Sequence, residues 1–313
     1  MYNLAWQKYN EVQWVQLLDS GREWPTLWIS VCTHGWEVVW LDILQSLIEE
    51  IQITEKLTRW RIFLILSNIS AYRKYRTLVE SWKEIDAKDL VSTRFVDENM
   101  NRCCDVDNIK NSRSKEVVRI LELTPILSEL DVIFDIHSTY APSDSMSIIT
   151  RRSFQSFWNT FNVHKRLVWI TEVQAWKPFI DIVERMWWVW IGLESGCQLD
   201  ASGYKIWLDN SLRLLAQLWM IDINDEEIQR HIWPTIESQT LNIFWNIIVR
   251  SKDFRFSQEY KHLDVIKKWE LFCYDGENEV YAERDFLIIM PSSNSTDFSK
   301  LIWEEACFMW EML

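Results

Sequence analysis

Apolar runs and helical periods alternate along the first two thirds of the chain. The segment "TLWISVC" (26–32) is apolar almost throughout and reads as a buried strand. Behind it, Trp40, Ile43, Leu44, Leu47, Ile48 and Ile51 recur at the spacing of one helix face. "RIFLILS" (61–67) predicts a second strand. "SKEVVRILELTPILSEL" (114–130) predicts a helix bent or interrupted at Pro125, since proline lacks an N–H and crowds the preceding turn. "DVIFDIH" (131–137), "RLVWIT" (166–171) and "WVWIGLE" (188–194) predict three more strands, with helical "PFIDIVERM" between the last two. "GYKIWLDNSLRLLAQLWM" (203–220) predicts a long amphipathic helix. Strands that lack polar alternation and take turns with helices are covered on both faces. The expected fold class is α/β: a mostly parallel mixed sheet flanked by helices.

From about residue 233 the period shortens. "TLNIFWNIIV" and "NEVYAERDFLIIMP" alternate apolar and polar residues over short runs, which predicts a smaller C-terminal β-rich domain. The expected division is an α/β domain over 1–222 and a β-rich domain over 223–313.

Charge narrows the partners. The net charge of −13 leaves no surplus of Lys and Arg to displace counterions from a nucleic acid, so an anionic ligand needs a local arginine cluster. No apolar run approaches the roughly 18 residues of a membrane span, and "MYNLAWQKYNEVQW" lacks the pattern of a signal peptide. The six cysteines are scattered without a C-x-x-C pair and read as reduced thiols of a cytoplasmic protein. One feature is abnormal: 6 glycines stand against 21 tryptophans, and segments such as "VQAWKPF" and "IKKWELF" carry Trp where a turn favours Gly. The pattern is that of an ordinary α/β sequence altered at glycine positions.

Ligands of open α/β sheets sit beyond the carboxyl ends of the strands. His34 and Glu37 follow the first strand and His137 ends the third. Two imidazoles and one carboxylate make a common catalytic zinc set that leaves room for water. "TRFVDENMNRCC" (93–104) gathers Arg94, Asn101 and Arg102 into one loop, a local anion site in an otherwise acidic chain. Glu194 ends the "WVWIGLE" strand on the same edge, where a carboxylate can serve as general base.

The order H-x-x-E, R-F-x-D-x-x-x-N-R, D-x-H-S-T and an E-x-G strand end resembles the succinylglutamate desuccinylase/aspartoacylase family of zinc carboxypeptidase-like enzymes, from about residue 26 to residue 220. The resemblance implies one zinc per chain on His34, Glu37 and His137. It implies Glu194 as proton carrier, Arg94 as oxyanion stabiliser, and Asn101 and Arg102 on a substrate carboxylate. By the same resemblance Tyr281 of the second domain closes over the substrate. The implied activity is a zinc-dependent amidohydrolase that takes the acyl group from a small anionic N-acyl amino acid. The alternatives are a carboxypeptidase-like metallopeptidase and a metal-binding relative with impaired catalysis; a homo-oligomer is left open. Two positions depart from the family pattern: Asn99 stands where an aspartate usually orients the first histidine, and Trp36 stands where a small residue or Asn is preferred. His164, His231 and His262 lack ligand-spaced partners and read as surface or capping residues. "RKYR" (73–76) reads as a solvated helix face, and Arg185 is a candidate for a second substrate anion.

Overall fold

The computed structural model describes residues 7–9, 12–21, 26–58, 61–81, 85, 87–103, 106–139, 143–150, 156–168, 189–197, 202–292, 298, 302 and 305–311. "PFIDIVERM", Arg185, the end of "RLVWIT", Cys104 and the Trp40 side chain lie outside the described residues.

The strands of the first part are β1 (Gln7–Tyr9), β2 (Val12–Asp19), β3 (Thr26–Val31), β4 (Arg61–Leu66), β5 (Val132–Thr139), β6 (Met146–Ile149), β7 (Lys165–Val168) and β8 (Val189–Cys197). Those that follow are β9 (Gln239–Ile248), β10 (Arg255–Phe256), β11 (Val265–Ile266), β12 (Leu271–Asp275), β13 (Asn278–Tyr281), β14 (Phe286–Ile289) and β15 (Glu305–Glu311). Twelve of them form one sheet in the order β1-β2-β4-β3-β5-β8-β6-β7-β9-β15-β14-β11, while β10, β12 and β13 form a second. From β4 to β9 every pairing is parallel except that of β8 with β6. Beyond β9 the pairings are antiparallel.

The apolar strands are buried as their composition predicts. All of β3 is buried, and Phe63, Ile65, Ile133 and Phe134 are fully enclosed. One face of the sheet packs on Val39–Gln45 and Ser202–Gln217, through Leu41, Ile43, Leu44, Trp207 and Leu212. The other face packs on Lys115–Leu127, through Val117, Ile120 and Leu123. That helix runs through Pro125 without interruption. Proline sits in its last turn on an exposed face, where water can satisfy the carbonyl it leaves unpaired. The C-terminal strands bury a separate cluster around Phe256, Phe272 and Phe286. The edge pair β1–β2 and the short strand β6 carry no signal that the sequence reading used.

Three tryptophans take the left-handed backbone that favours glycine: Trp14 (φ 61°), Trp219 (φ 61°) and Trp269 (φ 70°). Trp219 follows the helix Ser202–Gln217. Its N–H donates to the Ala216 carbonyl (2.9 Å), and the next N–H, of Met220, reaches back to the Leu215 carbonyl (2.9 Å). That is the hydrogen-bond pattern of a helix end normally closed by glycine.

Candidate metal centre

β3 delivers the chain into a turn at its carboxyl end, and the turn places His34 and Glu37 side by side. Gly35 makes the turn possible: a Cβ there would lie 2.3 Å from the Ala71 carbonyl oxygen and 2.4 Å from that of Thr93. Its N–H donates to the Arg94 carbonyl (3.1 Å), which ties the turn to the arginine loop. β5, the neighbour of β3, brings His137 to the same edge. The side chains of His34, Glu37 and His137 each offer a ligand atom, and these atoms all lie within 4.8 Å of one another. All three residues are buried.

The ring orientations suit a cation. His34 Nδ1 lies 2.9 Å from Glu37 Oε1, and His137 Nδ1 lies 3.4 Å from the same oxygen. The opposite ring nitrogens face oxygen acceptors: His34 Nε2 is 3.4 Å from Asn99 Oδ1, and His137 Nε2 is 3.0 Å from Asp135 Oδ2. Acceptors at Nε2 hold the ring proton there and leave the Nδ1 lone pair for a ligand. Two lone pairs aimed at one carboxylate oxygen repel it unless a proton or a cation sits among them. The groups therefore fit a metal ion.

The balance of charge and burial shows the same frustration. Burial and the Arg94 guanidinium push His34 down to about 4. Burial opposes charge on His137 too, but Asp135 and Glu37 outweigh it and hold that ring well above its usual value. Burial likewise opposes charge on Glu37, yet the two imidazoles keep it below the usual carboxylate range. A metal ion bound there would take the place of the proton that this environment favours on His137.

Glu194 stands beside this cluster. It lies on β8, in register with His137 of β5, and is buried. Its Oε2 has no hydrogen-bond partner among the described residues. Burial raises it to about 7, against the pull of His137 and Arg94. Arg94 is half-buried, its guanidinium carbon 5.7 Å from the Trp36 ring centre. Trp36 is thus a buried platform under the arginine. The Asn101 amide nitrogen lies 3.3 Å from His137 Nε2. Arg102 is turned to Glu305, with Nε 3.1 Å and Nη2 3.0 Å from Oε2. Tyr281 lies on β13, largely exposed, with its hydroxyl donating to Glu279 (2.7 Å). No contact among the described residues ties it to the cluster.

Several residues of the site were given no role by the sequence reading, Asp135 of the D-x-H-S-T motif among them. Asp135 sits two positions before His137 on one strand, hence on the same face, a signal that the strand period offers. Thr33 donates to its other oxygen (3.1 Å). Glu116, fully buried on the helix Lys115–Leu127, accepts the backbone N–H groups of Val96 (2.8 Å), Asp97 (3.2 Å) and Glu98 (3.3 Å). It clamps the loop that carries Arg94 and Asn99.

Together these features define an α/β protein with a buried His-Glu-His group able to hold a metal ion and an unpaired acid at its side. Residues 23–168, just under half of the chain, match the family model described as Succinylglutamate desuccinylase/Aspartoacylase catalytic domain. Solved structures agree on the fold. A succinylglutamate desuccinylase/aspartoacylase from Rhodobacter sphaeroides is 15% identical, with 96% of this chain and 90% of that one covered and a TM-score of 0.63. Succinylglutamate desuccinylase from Vibrio parahaemolyticus gives 17%, 95%, 86% and 0.66 in the same order. The product-bound ectoine utilization protein EutE (DoeB) from Ruegeria pomeroyi gives 16%, 97%, 92% and 0.63. No curated protein matches the chain.

Proposed function

We propose that this protein is a zinc-dependent amidohydrolase that removes an acyl group from a small anionic N-acyl amino acid. The observation that carries the reading is Glu194 Oε2, buried and unpaired beside the His34, Glu37 and His137 donors. His34 and His137 through Nδ1, and Glu37 through its carboxylate, would hold the zinc; Asn99 and Asp135 fix the rings. Zinc bound there supplies Lewis acidity and makes hydroxide available near neutral pH. Glu194 takes the proton of the attacking water. As the C–N bond breaks, it hands that proton to the departing amine, so acid and amine leave in balance. Arg94, stacked on Trp36, faces the charge that develops on the acyl oxygen. Asn101 and Arg102 are assigned the substrate carboxylate, and Tyr281 the closing of the site from the second domain.

The division at 222/223 stays a proposal: the C-terminal strands bury a cluster of their own from Val249 on, while Ile228, Leu241 and Ile243 pack in the first two cores. No described helix is long and apolar enough to cross a membrane; cytoplasmic placement rests on the cysteine pattern. The test is metal content together with hydrolysis of N-succinylglutamate, N-acetylaspartate and related acyl amino acids, before and after chelation. Zinc-loaded protein that is inert toward the whole panel overturns the reading. One observation favours a second reading, a metal-binding relative with impaired catalysis: Asn99 meets His34 at 3.4 Å with a neutral amide, whereas Asp135 meets His137 at 3.0 Å with a carboxylate.

A further inference from the structure

We infer that a buried chain of three hydroxyls, on Ser67, Ser30 and Thr33, positions Asp135 and through it the His137 ring, and so sets how tightly the metal group holds its ion. The inference rests on the metal centre of the deacylase reading but not on hydrolysis. Ser30 of β3 and Asp135 of β5 are register partners, so their side chains leave the sheet on one face. Ser67 follows β4, on the other side of β3, and its N–H donates to the Val31 carbonyl (2.8 Å). The hydroxyls of Ser67 and Ser30 lie 2.7 Å apart, and those of Ser30 and Thr33 lie 3.4 Å apart, the longest link. Thr33 then meets Asp135 Oδ1 (3.1 Å), and Asp135 Oδ2 meets His137 Nε2 (3.0 Å). All five residues are buried.

Chemistry fixes the direction of every link. A carboxylate only accepts, so Thr33 donates its one proton to Asp135. Ser30 must then donate to Thr33, and Ser67 to Ser30. The ring N–H of His137 donates from the other side, so Asp135 is held between an imidazole and a polarised row of hydroxyls. In a dry site each donor of such a row strengthens the next. Fixing one carboxylate oxygen keeps the other aimed at Nε2, which leaves the Nδ1 lone pair of His137 for the ion. Loss of a distant hydroxyl therefore reaches the ion through Asp135 and His137.

The test is the zinc affinity of the full chain, read by competition with a chelating dye and without substrate. Thr33→Val removes the last hydroxyl at nearly constant shape and is expected to weaken zinc binding about tenfold. Thr33→Ser keeps the donor and is expected to stay within about threefold of the parent. Ser30→Ala is expected to weaken zinc binding about threefold in the parent and not at all in Thr33→Val, where the chain is already cut. A residue that only packs would instead lose the same factor in both backgrounds. Parental affinity in Thr33→Val, or an equal loss from Ser30→Ala in both backgrounds, overturns the inference. Should Thr33→Val fail to fold by circular dichroism, Ser67→Ala and Ser30→Ala form the second pair: their losses are expected not to add, and additive losses or none overturn the inference. A zinc-loaded parent that fails the hydrolysis panel counts against the deacylase reading alone, and these affinity ratios count against the hydroxyl chain alone.

Discussion

Glu116→Gln is a sharp probe of how the site is held. The side chain is fully buried, and its two oxygens serve the loop between Arg94 and Asn99. Oε1 accepts from Val96 N (2.8 Å) and Asn68 Nδ2 (3.4 Å), and Oε2 from Asp97 N (3.2 Å) and Glu98 N (3.3 Å). Glutamine keeps the shape but turns one oxygen into a donor. Whichever end carries the new NH2 faces two N–H groups, and both lose their acceptor in a dry site. A buried donor without an acceptor costs about 1–3 kcal/mol, so the variant should lose about 2–4 kcal/mol of stability. The denaturant midpoint falls and the slope stays, because the surface exposed on unfolding is the same. Glu122→Gln, on the same helix but 52% exposed where it pairs with Arg119, should lose less than about 1 kcal/mol. Turnover responds through geometry: a displacement of about 1 Å at Arg94 can cost roughly a hundredfold. A Glu116→Gln protein that loses less than about 1 kcal/mol and keeps parental turnover refutes the clamp.

Three further outcomes follow from the structure. Glu194→Gln should abolish hydrolysis while zinc content stays at the parental level, because the three donors are untouched; equal loss of zinc would assign Glu194 to the metal instead. Trp219→Gly should raise stability by about 1 kcal/mol, since the left-handed backbone penalises a side chain that is 76% exposed; a lowered melting temperature contradicts the glycine-position reading, and Trp269 (72% exposed) offers an independent repeat. Burial lowers His262 from 6.5 to about 4, against Asp144 and with Lys165, while its Nδ1 accepts the Met290 N–H (3.2 Å). A lowered pKa means that the folded state binds fewer protons, so this stability is present above pH 6.5 and is lost as pH falls toward 4. His262→Gln should flatten the profile between those values, and an unchanged acid slope rules the ring out.

What the sequence disclosed about the site depended on distance along the chain. His34 and Glu37 are three residues apart in one turn, and His137 and Glu194 lie toward the carboxyl ends of strands whose apolar runs are plain. Strand ends of a parallel sheet share an edge, so the expectation that these four converge needed only the fold class. The sheet's covered middle was legible for the same reason. β6 and β1 were not, since four residues in one and three in the other carry too short a period, and the eight residues of β2 bury at a spacing that is not strand alternation. Arg102 was read as a substrate ligand because its motif lies in one loop. Glu305 is 203 residues away, and no local pattern announces a carboxylate that arrives from another strand. Glu116 was hidden in a different way. It occupies a helix whose period was recognised, but a buried acid breaks that period, and its role emerges only when the backbone N–H groups it serves are in place.

The tryptophans complete the argument, because composition alone could not say which of them occupy glycine positions. Backbone conformation separates them. Trp219 and Trp269 adopt positive φ, close a helix and a turn, and leave their indoles largely exposed, so the strained backbone is matched by little burial. Trp36 is of another kind. It is 3% exposed, its φ is not in the left-handed region, and Arg94 lies over its ring. The close backbone approach in that turn belongs to its neighbour Gly35, which has no space for a Cβ. A bulky residue is therefore compatible with the turn only because glycine precedes it. The indole then does what a small residue cannot: it fixes the plane of the guanidinium that pushes His34 down and counters the burial of Glu194.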